Sequence, residues 1–243
     1  MTTTGAAILL FLIVFFGMNS LESRGQVLES ERYPELRYYP LRGEVYYVDY
    51  IQIKGTPFLN GEEWMRGELI LMDGKKIDNV SIKLDVYAHR VLVYQEYLRR
   101  IVSISKNDIR EFYVGDKEPL RHFIFFDQTA TKAKVTDGVY FEVLSEGRIS
   151  FYKLYFKDVL PLRTPEMPLL DEFLDEEAYY IRDGETIRYI RMNKNSLIKM
   201  YPEYKSEIKQ FIRRKNLRLR EENDFSLTVS YLGSVLELIQ QNK

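Results

Sequence analysis

Hydrophobic and polar residues alternate with a period of two from Gly43 to about Phe156, and short turn sequences interrupt the alternation. This pattern is typical of strands, because successive side chains of a strand point to opposite faces of a sheet. Strands joined by tight turns must be antiparallel, since a parallel return needs a crossover of a dozen or more residues. The pattern predicts a β-meander with strands at EVYYVDYIQI (44–53), GELILM (67–72), VSIKLDVYA (80–88), RVLVYQ, RIVSIS, IREFYV, RHFIFFD, GVYFEVL and RISFYKLYF.

The turn residues divide this region into hairpins. Asp73 and Gly74 suit the positive φ angles of a tight turn, and the strand after them has one apolar face and one polar face. The stretch 161–177 contains three prolines and six acidic residues, which predicts a loose connection leaving the sheet. A last hairpin is expected around Asp183 and Gly184, so that the strand-rich part closes near Arg191. The inward residues of the strand after Gly74 are Val80, Ile82, Leu84 and Val86.

The remainder of the chain has a helical period. KNSLIKM is a short helix candidate, and Pro202 suits the first position of the next helix, where a missing N–H costs little. Asn216 can end that helix in a left-handed conformation. The final helix is expected from about Glu221 to Gln240, with a single apolar stripe of Phe225, Val229, Leu232, Leu236 and Ile239.

Both long helices need an apolar surface to cover, and the sheet is the only large one that the sequence offers. We therefore predict an α+β protein: an antiparallel β-meander sheet, curved or half-barrel, with C-terminal helices packed on or beside it. The predicted division is a signal peptide at 1–25, a β-rich domain at 26–190, and a helical segment at 191–243 that packs on the same domain.

The signal peptide is inferred from AAILLFLIVFFGM, Ala6 to Met18. Thirteen helical residues cover only about 20 Å of a hydrocarbon core about 30 Å thick, so the segment is too short to span it comfortably. Small residues at Ser23 and Gly25 meet the requirement of signal peptidase, which predicts cleavage between Gly25 and Gln26. The start MTTTG lacks the usual Lys or Arg. A retained N-terminal anchor and a buried N-terminal helix are the alternatives.

Composition narrows the classes of function. Hydrophobic residues at 45% favour a packed globule, and the formal charge of −1 gives no global attraction to nucleic acid. The absence of cysteine excludes thiolate metal sites and thiol nucleophiles. The 19 tyrosines and 14 phenylalanines are explained by strand and core packing, with a stacking surface for a ligand as the alternative.

Few residues suggest chemistry. The two histidines, His89 and His122, lie in strand patterns without a second metal ligand at zinc-site spacing, so no metal and no cofactor are expected. No nucleophile elbow, phosphate loop or calcium loop is present, which favours a protein that is not an enzyme. Trp64, in NGEEWMRG, is a weak candidate for a sugar-binding platform. A single Trp just before a strand more often fills a space in the core or at the edge of a sheet. The basic run RRKNLRLRE is explained by complementarity to a helix C-terminus.

Several of these features occur together and in the same order elsewhere. The leader ending before Gln26, GTPFLNGEEWMRGELILMDG, IKLDVY, the GVYFEVL-SEG hairpin and IKQFIRRKNLRLREENDFSLTVSYL resemble a group of uncharacterised exported proteins of Bacteroidota. The resemblance implies export to the periplasm or beyond. It implies no functional residues, because the group has no established activity.

The sequence thus predicts an exported, soluble component of the cell envelope, periplasmic or extracellular, with a binding or accessory role. Its partner would be an envelope protein, a peptide or a glycan, taken at an exposed strand face or edge, and not a nucleic acid. A membrane would serve only as the export route or for the N-terminal anchor. A carboxylate-based hydrolase of envelope polysaccharide is the alternative, since such an enzyme needs only two carboxylates placed by the fold.

Overall fold

The computed structural model describes residues 43–47, 53–96, 98–117, 119–127, 138–162 and 170–241. Its strands are β1 (Gly43–Val45), β2 (Ile53–Lys54), β3 (Met65–Leu71), β4 (Lys76–Asp85), β5 (Arg90–Gln95), β6 (Arg100–Ile104), β7 (Ile109–Val114), β8 (Arg121–Phe126), β9 (Val139–Ser145), β10 (Ile149–Leu162), β11 (Leu170–Asp183) and β12 (Thr186–Ile190). Its helices are α1 (Lys194–Met200), α2 (Lys205–Lys215) and α3 (Glu222–Gln241). Single 3₁₀ turns occupy Lys106–Asp108 and Pro202–Tyr204.

The α+β class predicted from the sequence is confirmed. The described strands form one open sheet in the order β1-β6-β5-β4-β3-β7-β8-β9-β10-β11-β12, and β2 adds to β11. The hairpins at Gly74 and Gly184 occur as expected, with φ of 85° and 61°. The predicted helices also occur, and Asn216 ends α2 with a φ of 53°.

The sheet is more than a simple meander, because β6 and β7 follow one another without pairing. Three strands separate them in the sheet, yet the chain links them through only the 3₁₀ turn and one residue before it. Such a short connection cannot cross a flat sheet of strands spaced about 4.8 Å apart, so the sheet curls between β6 and β7. Buried side chains of β3 to β7 consequently form one hydrophobic cluster.

The prediction of a loose connection at 161–177 was wrong for much of its length. Strand β10 continues to Leu162, β11 begins at Leu170, and fourteen residue pairs join the two strands. The acidic composition suggested a loop, but two of the acidic side chains, Asp175 and Glu177, form ion pairs with lysines of β10. Lys157, for example, is the register partner of Asp175 and its ion-pair partner. Cross-strand charge pairs therefore stabilise a segment whose composition suggested a loop.

The structure also differs from the prediction of a single strand at 44–53. Only its two ends, β1 and β2, lie within the described residues, and they join different parts of the sheet. Strand β1 pairs with β6, whereas β2 pairs with β11 in the parallel sense. The sheet therefore contains one parallel pair of strands. The argument that tight turns impose antiparallel pairing did not predict this pair, because β2 is distant from β11 in the chain.

The polar face of β4 is less exposed than its alternation suggested. The four predicted inward residues are buried, but Lys83 and Asp85 on the opposite face are buried as well. The segment before β3 covers them, since Leu59 N–H bonds to Leu84 and Phe58 bridges to Asp85. Asp85 accepts hydrogen bonds from the backbone of Tyr87 and Ala88, while its burial raises its pKa.

The three helices pack on the β9–β12 part of the sheet. Their buried residues, including Leu197, Ile208 and Phe225, share a second hydrophobic cluster with Phe151 and Ile181. Phe225 also contacts Phe151, with ring centroids 5.0 Å apart. Phe225, Val229 and Leu232 of the predicted stripe are buried, Leu236 is partly buried, and Ile239 is exposed. The same face of the sheet thus carries one hydrophobic cluster at β3–β7 and another under the helices.

Candidate functional site

A group of polar and aromatic side chains lies between these two hydrophobic clusters. We call it the Lys153 cluster. Its members come from β8, β9, β10, β11 and the start of α3, and alternation along the strands places them on the face that the helices cover. The members are Arg121, Glu142, Lys153, Tyr155, Glu177, Tyr179 and Glu222.

Lys153 is at the centre of the cluster. Its Nζ lies 2.8 Å from Glu177 Oε2 and 2.9 Å from Glu222 Oε2, and its side chain is only 12% exposed. The same nitrogen lies 4.8 Å from the centroid of the Tyr155 ring and 5.4 Å from that of Tyr179. Burial acts to lower the pKa of Lys153, but its hydrogen bonds to the two glutamates outweigh burial and raise the pKa. The ammonium form is therefore held in place.

The two glutamates beside Lys153 are also joined by Tyr179. Its hydroxyl lies 2.8 Å from Glu177 Oε1 and 2.9 Å from Glu222 Oε2, and its single proton is donated to one or the other. Burial would raise the pKa of Glu177, but the bonds from Lys153 and Tyr179 outweigh burial and lower it. Glu177 is consequently a stable carboxylate and not a proton donor at neutral pH.

A second carboxylate, Glu142, is held at the β8 side of the cluster. Arg121 binds it through two hydrogen bonds, Nε to Oε1 at 2.7 Å and Nη2 to Oε2 at 3.0 Å. The Tyr155 hydroxyl donates to Glu142 Oε2 at 2.6 Å, and burial together with this carboxylate raises the pKa of Tyr155 to about 12. Paired bonds of this kind fix both the position and the orientation of the two side chains, so this side of the cluster is rigid.

An edge of the sheet lies next to the cluster. Strand β11 is longer than its neighbours on that side: β2 pairs with Asp171 and Glu172, and β12 pairs with Tyr179 to Asp183. No described strand pairs with the outer side of 174–178, which we call the β11 edge. The edge is acidic, since Asp175 is 87% exposed and Glu177 51% exposed, and Glu176 is exposed between them.

The two histidines have separate environments. His89 is fully buried in the β4–β5 turn, where its φ is 48°. His122 is on β8, stacked on Tyr113 with ring centroids 4.2 Å apart, and its Nε2 lies 2.8 Å from Glu111 Oε2. The structure thus gives His122 the carboxylate partner that its sequence position did not predict, but it does not bring the two histidines together. Among the described residues, no group of three or more metal-ligating side chains is placed to hold an ion.

Trp64, the weak binding candidate, lies just before β3 and is partly buried. Its ring contacts Tyr94, with centroids 5.9 Å apart, and the Lys83 ammonium lies 5.0 Å from its centroid. Lys83 is bound to Glu62 at 2.9 Å. Trp64 therefore covers the outer face of β4 together with the Lys83–Glu62 pair. This group of residues is separate from the Lys153 cluster. The predicted cleavage site at Gly25 and Gln26 lies outside the described residues.

None of the helices in the described part of the chain has the length and apolarity needed to cross a membrane. Comparison of the chain with protein-family models, with curated proteins and with solved structures gives no match. The geometry described above is therefore the basis for a functional assignment.

Sequence reasoning did not identify the Lys153 cluster or the β11 edge. The cluster residues are separated by as many as 101 positions, from Arg121 to Glu222, and no local motif links them. The sequence contains one indication of the cluster. Lys153, Tyr155 and Lys157 occupy alternate positions of one strand, and this places charged groups on a face that is otherwise apolar. A buried charge on such a face requires partners, and acidic residues of neighbouring strands are the natural ones.

Proposed function

We propose that this protein is an exported, non-enzymatic binding component of the cell envelope, and that it binds an extended peptide along the β11 edge. The observation that supports the proposal is the outer side of 174–178, which no described strand pairs with, between two strands that do pair with β11. The exported location rests on the leader at 1–25 and on the resemblance to exported proteins of Bacteroidota.

An unpaired strand edge binds peptides through its backbone. Its outward N–H and C=O groups form ladder hydrogen bonds with a guest strand, and alternate side chains of the guest contact either face. On β11, the gap between the last partner of β2, Glu172, and the first partner of β12, Tyr179, is six residues, or about 20 Å of extended chain, and the β11 edge takes up five of them. The guest is therefore a short strand.

The charges of the edge select the chemistry of the guest. Asp175 and Glu177 project from the face that carries the Lys153 cluster, and Glu176 projects from the opposite face. Lysine or arginine side chains on either side of a guest strand would meet a carboxylate. The same carboxylates disfavour pairing with a second copy of β11, because acidic residues would then face one another. The edge is thus suited to a basic peptide and resists self-association.

The hydrolase alternative has one observation in its favour, since Glu177 and Glu222 both contact Lys153 and so lie close together. A retaining glycosidase needs such a pair, but one member must keep its proton to act as the general acid. Glu177 does not meet that requirement, because its pKa is lowered, and Glu222 is hydrogen-bonded by both Lys153 and Tyr179 rather than open to a substrate. The pair is therefore better suited to holding charge than to transferring protons, which favours binding over hydrolysis. The other alternative, a protein held by a retained N-terminal anchor, depends on whether the leader at 1–25 is cleaved.

A basic probe peptide tests the proposal. We expect the full chain to bind a peptide of alternating lysine and valine more tightly than one of alternating glutamate and valine, as measured by fluorescence anisotropy. Glu176→Lys should weaken binding of the lysine peptide roughly two- to thirtyfold, because the reversal removes one exposed ion pair and adds one like-charge repulsion, each of about 0.2–1 kcal/mol. Glu146→Lys, the same change on an exposed turn after β9, is the matched control and should leave binding unchanged.

A second peptide separates strand addition from simple charge attraction. N-methylation of alternate backbone amides removes ladder donors and keeps every lysine, so the methylated peptide should lose at least tenfold in affinity if the guest pairs with β11. Equal binding of the methylated and unmethylated peptides, or an equal effect of the Glu146→Lys control, would contradict the proposed site.

A further inference from the structure

A concentrated basic surface lies at the end of α2, on the helical side of the molecule. Arg213, Arg214 and Lys215 form the last turn of α2, and α2 ends at Asn216. Two more arginines follow in the link to α3, and Lys194 opens α1 nearby. We call these six residues the α2 basic surface: Lys194, Arg213, Arg214, Lys215, Arg218 and Arg220.

All six side chains are exposed, and none of them forms an ion pair with a described residue. The negative end of the α2 dipole accounts for cations in the last turn of the helix, but it falls off within that turn. Arg218 and Arg220 come after the helix has ended, so that their positions are not explained by the dipole. The surface therefore holds more positive charge than its own helix requires.

Two of the three acidic residues that follow in the sequence are engaged elsewhere, and Glu221 is exposed. Glu222 faces the sheet, where it binds Lys153 and Tyr179. Asp224 accepts a hydrogen bond from the backbone N–H of Arg218 at 2.6 Å. Glu222 is consequently not available to the six cations, and the Asp224 carboxylate is engaged by the backbone.

The cations border a groove with a mixed polar and apolar lining. The groove has a volume of about 790 Å³ and runs between the start of α1 and the end of α2, with Lys194 and Arg220 among its lining residues. Its apolar lining consists of Met192, Ile212, Leu217 and Leu219, and Asn193 and Asn195 complete its polar lining. The surface thus combines exposed cations with apolar side chains that are half-buried or buried.

A second apolar area adjoins the same cations. Arg214 lies over the ring of Phe211 at 5.8 Å, and Phe211 stacks on Tyr231 of α3 with centroids 4.0 Å apart. Leu227, one turn before Tyr231 on the same face of α3, is 55% exposed. Cations beside exposed Leu and aromatic side chains are the combination found on surfaces that rest on a bilayer interface.

We propose that the α2 basic surface docks on an anionic phospholipid membrane. Such a membrane presents a layer of phosphate groups with apolar groups directly beneath it, which matches exposed cations beside apolar side chains. A nucleic acid would use the charges but not the apolar side chains. The α2 basic surface shares no residue with the β11 edge.

Vesicle flotation with the full chain tests this inference. We expect stronger binding to vesicles of phosphatidylcholine with one third phosphatidylglycerol than to vesicles of phosphatidylcholine alone. The apolar segment Ala6–Met18 is present in both samples, so the difference between them reports the response to lipid charge. The double variant Arg214→Gln/Arg220→Gln should reduce the preference for anionic vesicles roughly tenfold, because each cation near such a surface contributes measurably to binding.

The matched control is Lys75→Gln/Lys117→Gln, which also removes two positive charges but from exposed turns of the β3–β8 part of the sheet. This variant should keep the preference. Equal binding to the two kinds of vesicle, or an equal loss in both double variants, would overturn the inference. Tighter binding of the protein to soluble polyglutamate than to anionic vesicles at the same concentration of charge would overturn it as well, and would assign the surface to an acidic protein.

Discussion

At the scale of single residues, Lys153 shows how a charge is kept inside this sheet. Its ammonium contacts Glu177 and Glu222, and two tyrosine rings lie over it. A buried charge is costly unless it is paired, and removing one partner leaves the others uncompensated. The two glutamates would then repel one another beside the start of α3. Lys153 therefore fixes the position of α3 on β10 and β11.

Replacing Lys153 should lower the free energy of unfolding more than replacing an exposed lysine that has the same number of ion-pair partners. Lys153→Met should lower the free energy of unfolding by about 3 kcal/mol, because it leaves two half-buried carboxylates without a positive partner. Lys76→Met is the control: Lys76 also contacts two carboxylates, Glu68 and Asp78, but it is 51% exposed, so that its loss should lower the free energy of unfolding much less than the loss of Lys153. Urea denaturation measures both. Equal costs would show that burial does not strengthen the Lys153 contacts.

At the scale of elements, the contact between β3 and β7 decides how the sheet curls. Gly67 lies opposite Val114 at this contact, next to an irregularity in the pairing of β3 with β4. A Cβ at Gly67 would lie 1.9 Å from the carbonyl oxygen of Tyr113, which no side chain can accommodate without moving one of the strands. Only glycine allows the two backbones to approach this closely.

Gly67→Ala should therefore destabilise the protein by about 3 kcal/mol or more, because it forces β3 away from β7 in a closely packed core. Gly233→Ala, in the middle of α3, is the matched control. A Cβ there meets its nearest atom, the Ile149 nitrogen, at 3.4 Å, and alanine favours a helix over glycine by about 1 kcal/mol. Thermal unfolding of the two variants should shift in opposite directions. A stable Gly67→Ala variant would contradict the close approach of the two strands.

At the scale of the whole molecule, two packed units share one sheet. The curled β3–β7 part contains the first hydrophobic cluster, and the three helices cover the second on β9–β12. The Lys153 cluster lies between them, the β11 edge lies beside it, and the α2 basic surface lies on the helices. In the functions proposed here, the sheet edge takes a peptide while the helices contact a membrane.

The proposed peptide-binding function places the molecule outside the cytoplasm, which the N-terminus can test. Mass spectrometry of protein purified from native cells, with fractionation, should find a chain that begins at Gln26 in the periplasmic or extracellular fraction. A chain with Met1 in the membrane fraction would support the retained anchor instead. A chain with Met1 in the cytosol would contradict export and, with it, the envelope peptide proposed for the β11 edge.

The sequence by itself determined most of the local structure. The period of two predicted β4, β5 and the strands that follow, the period of 3.6 predicted α2 and α3, and Asn216 marked the end of α2. These features depend on neighbours within a few residues, so they can be predicted from the chain alone. The apolar stripe of α3 also predicted that this helix covers the sheet, because an apolar surface of that size must be buried.

Only the tertiary structure decided which strands pair and which polar groups meet. The pairing of β7 with β3 and of β2 with β11, and the strand at 170–177, depend on partners distant in the chain. The Lys153 cluster depends on the register of five elements, and one residue of slip would turn its side chains to the other face. From the sequence, the acidic residues of β11 were interpreted as part of a loop, and the basic run at the end of α2 as complementary to the helix C-terminus. In the folded chain Asp175 and Glu177 pair with lysines of β10, and Glu222 turns from the cations towards the sheet, because contact in space and not proximity in sequence determines the partners of a charge.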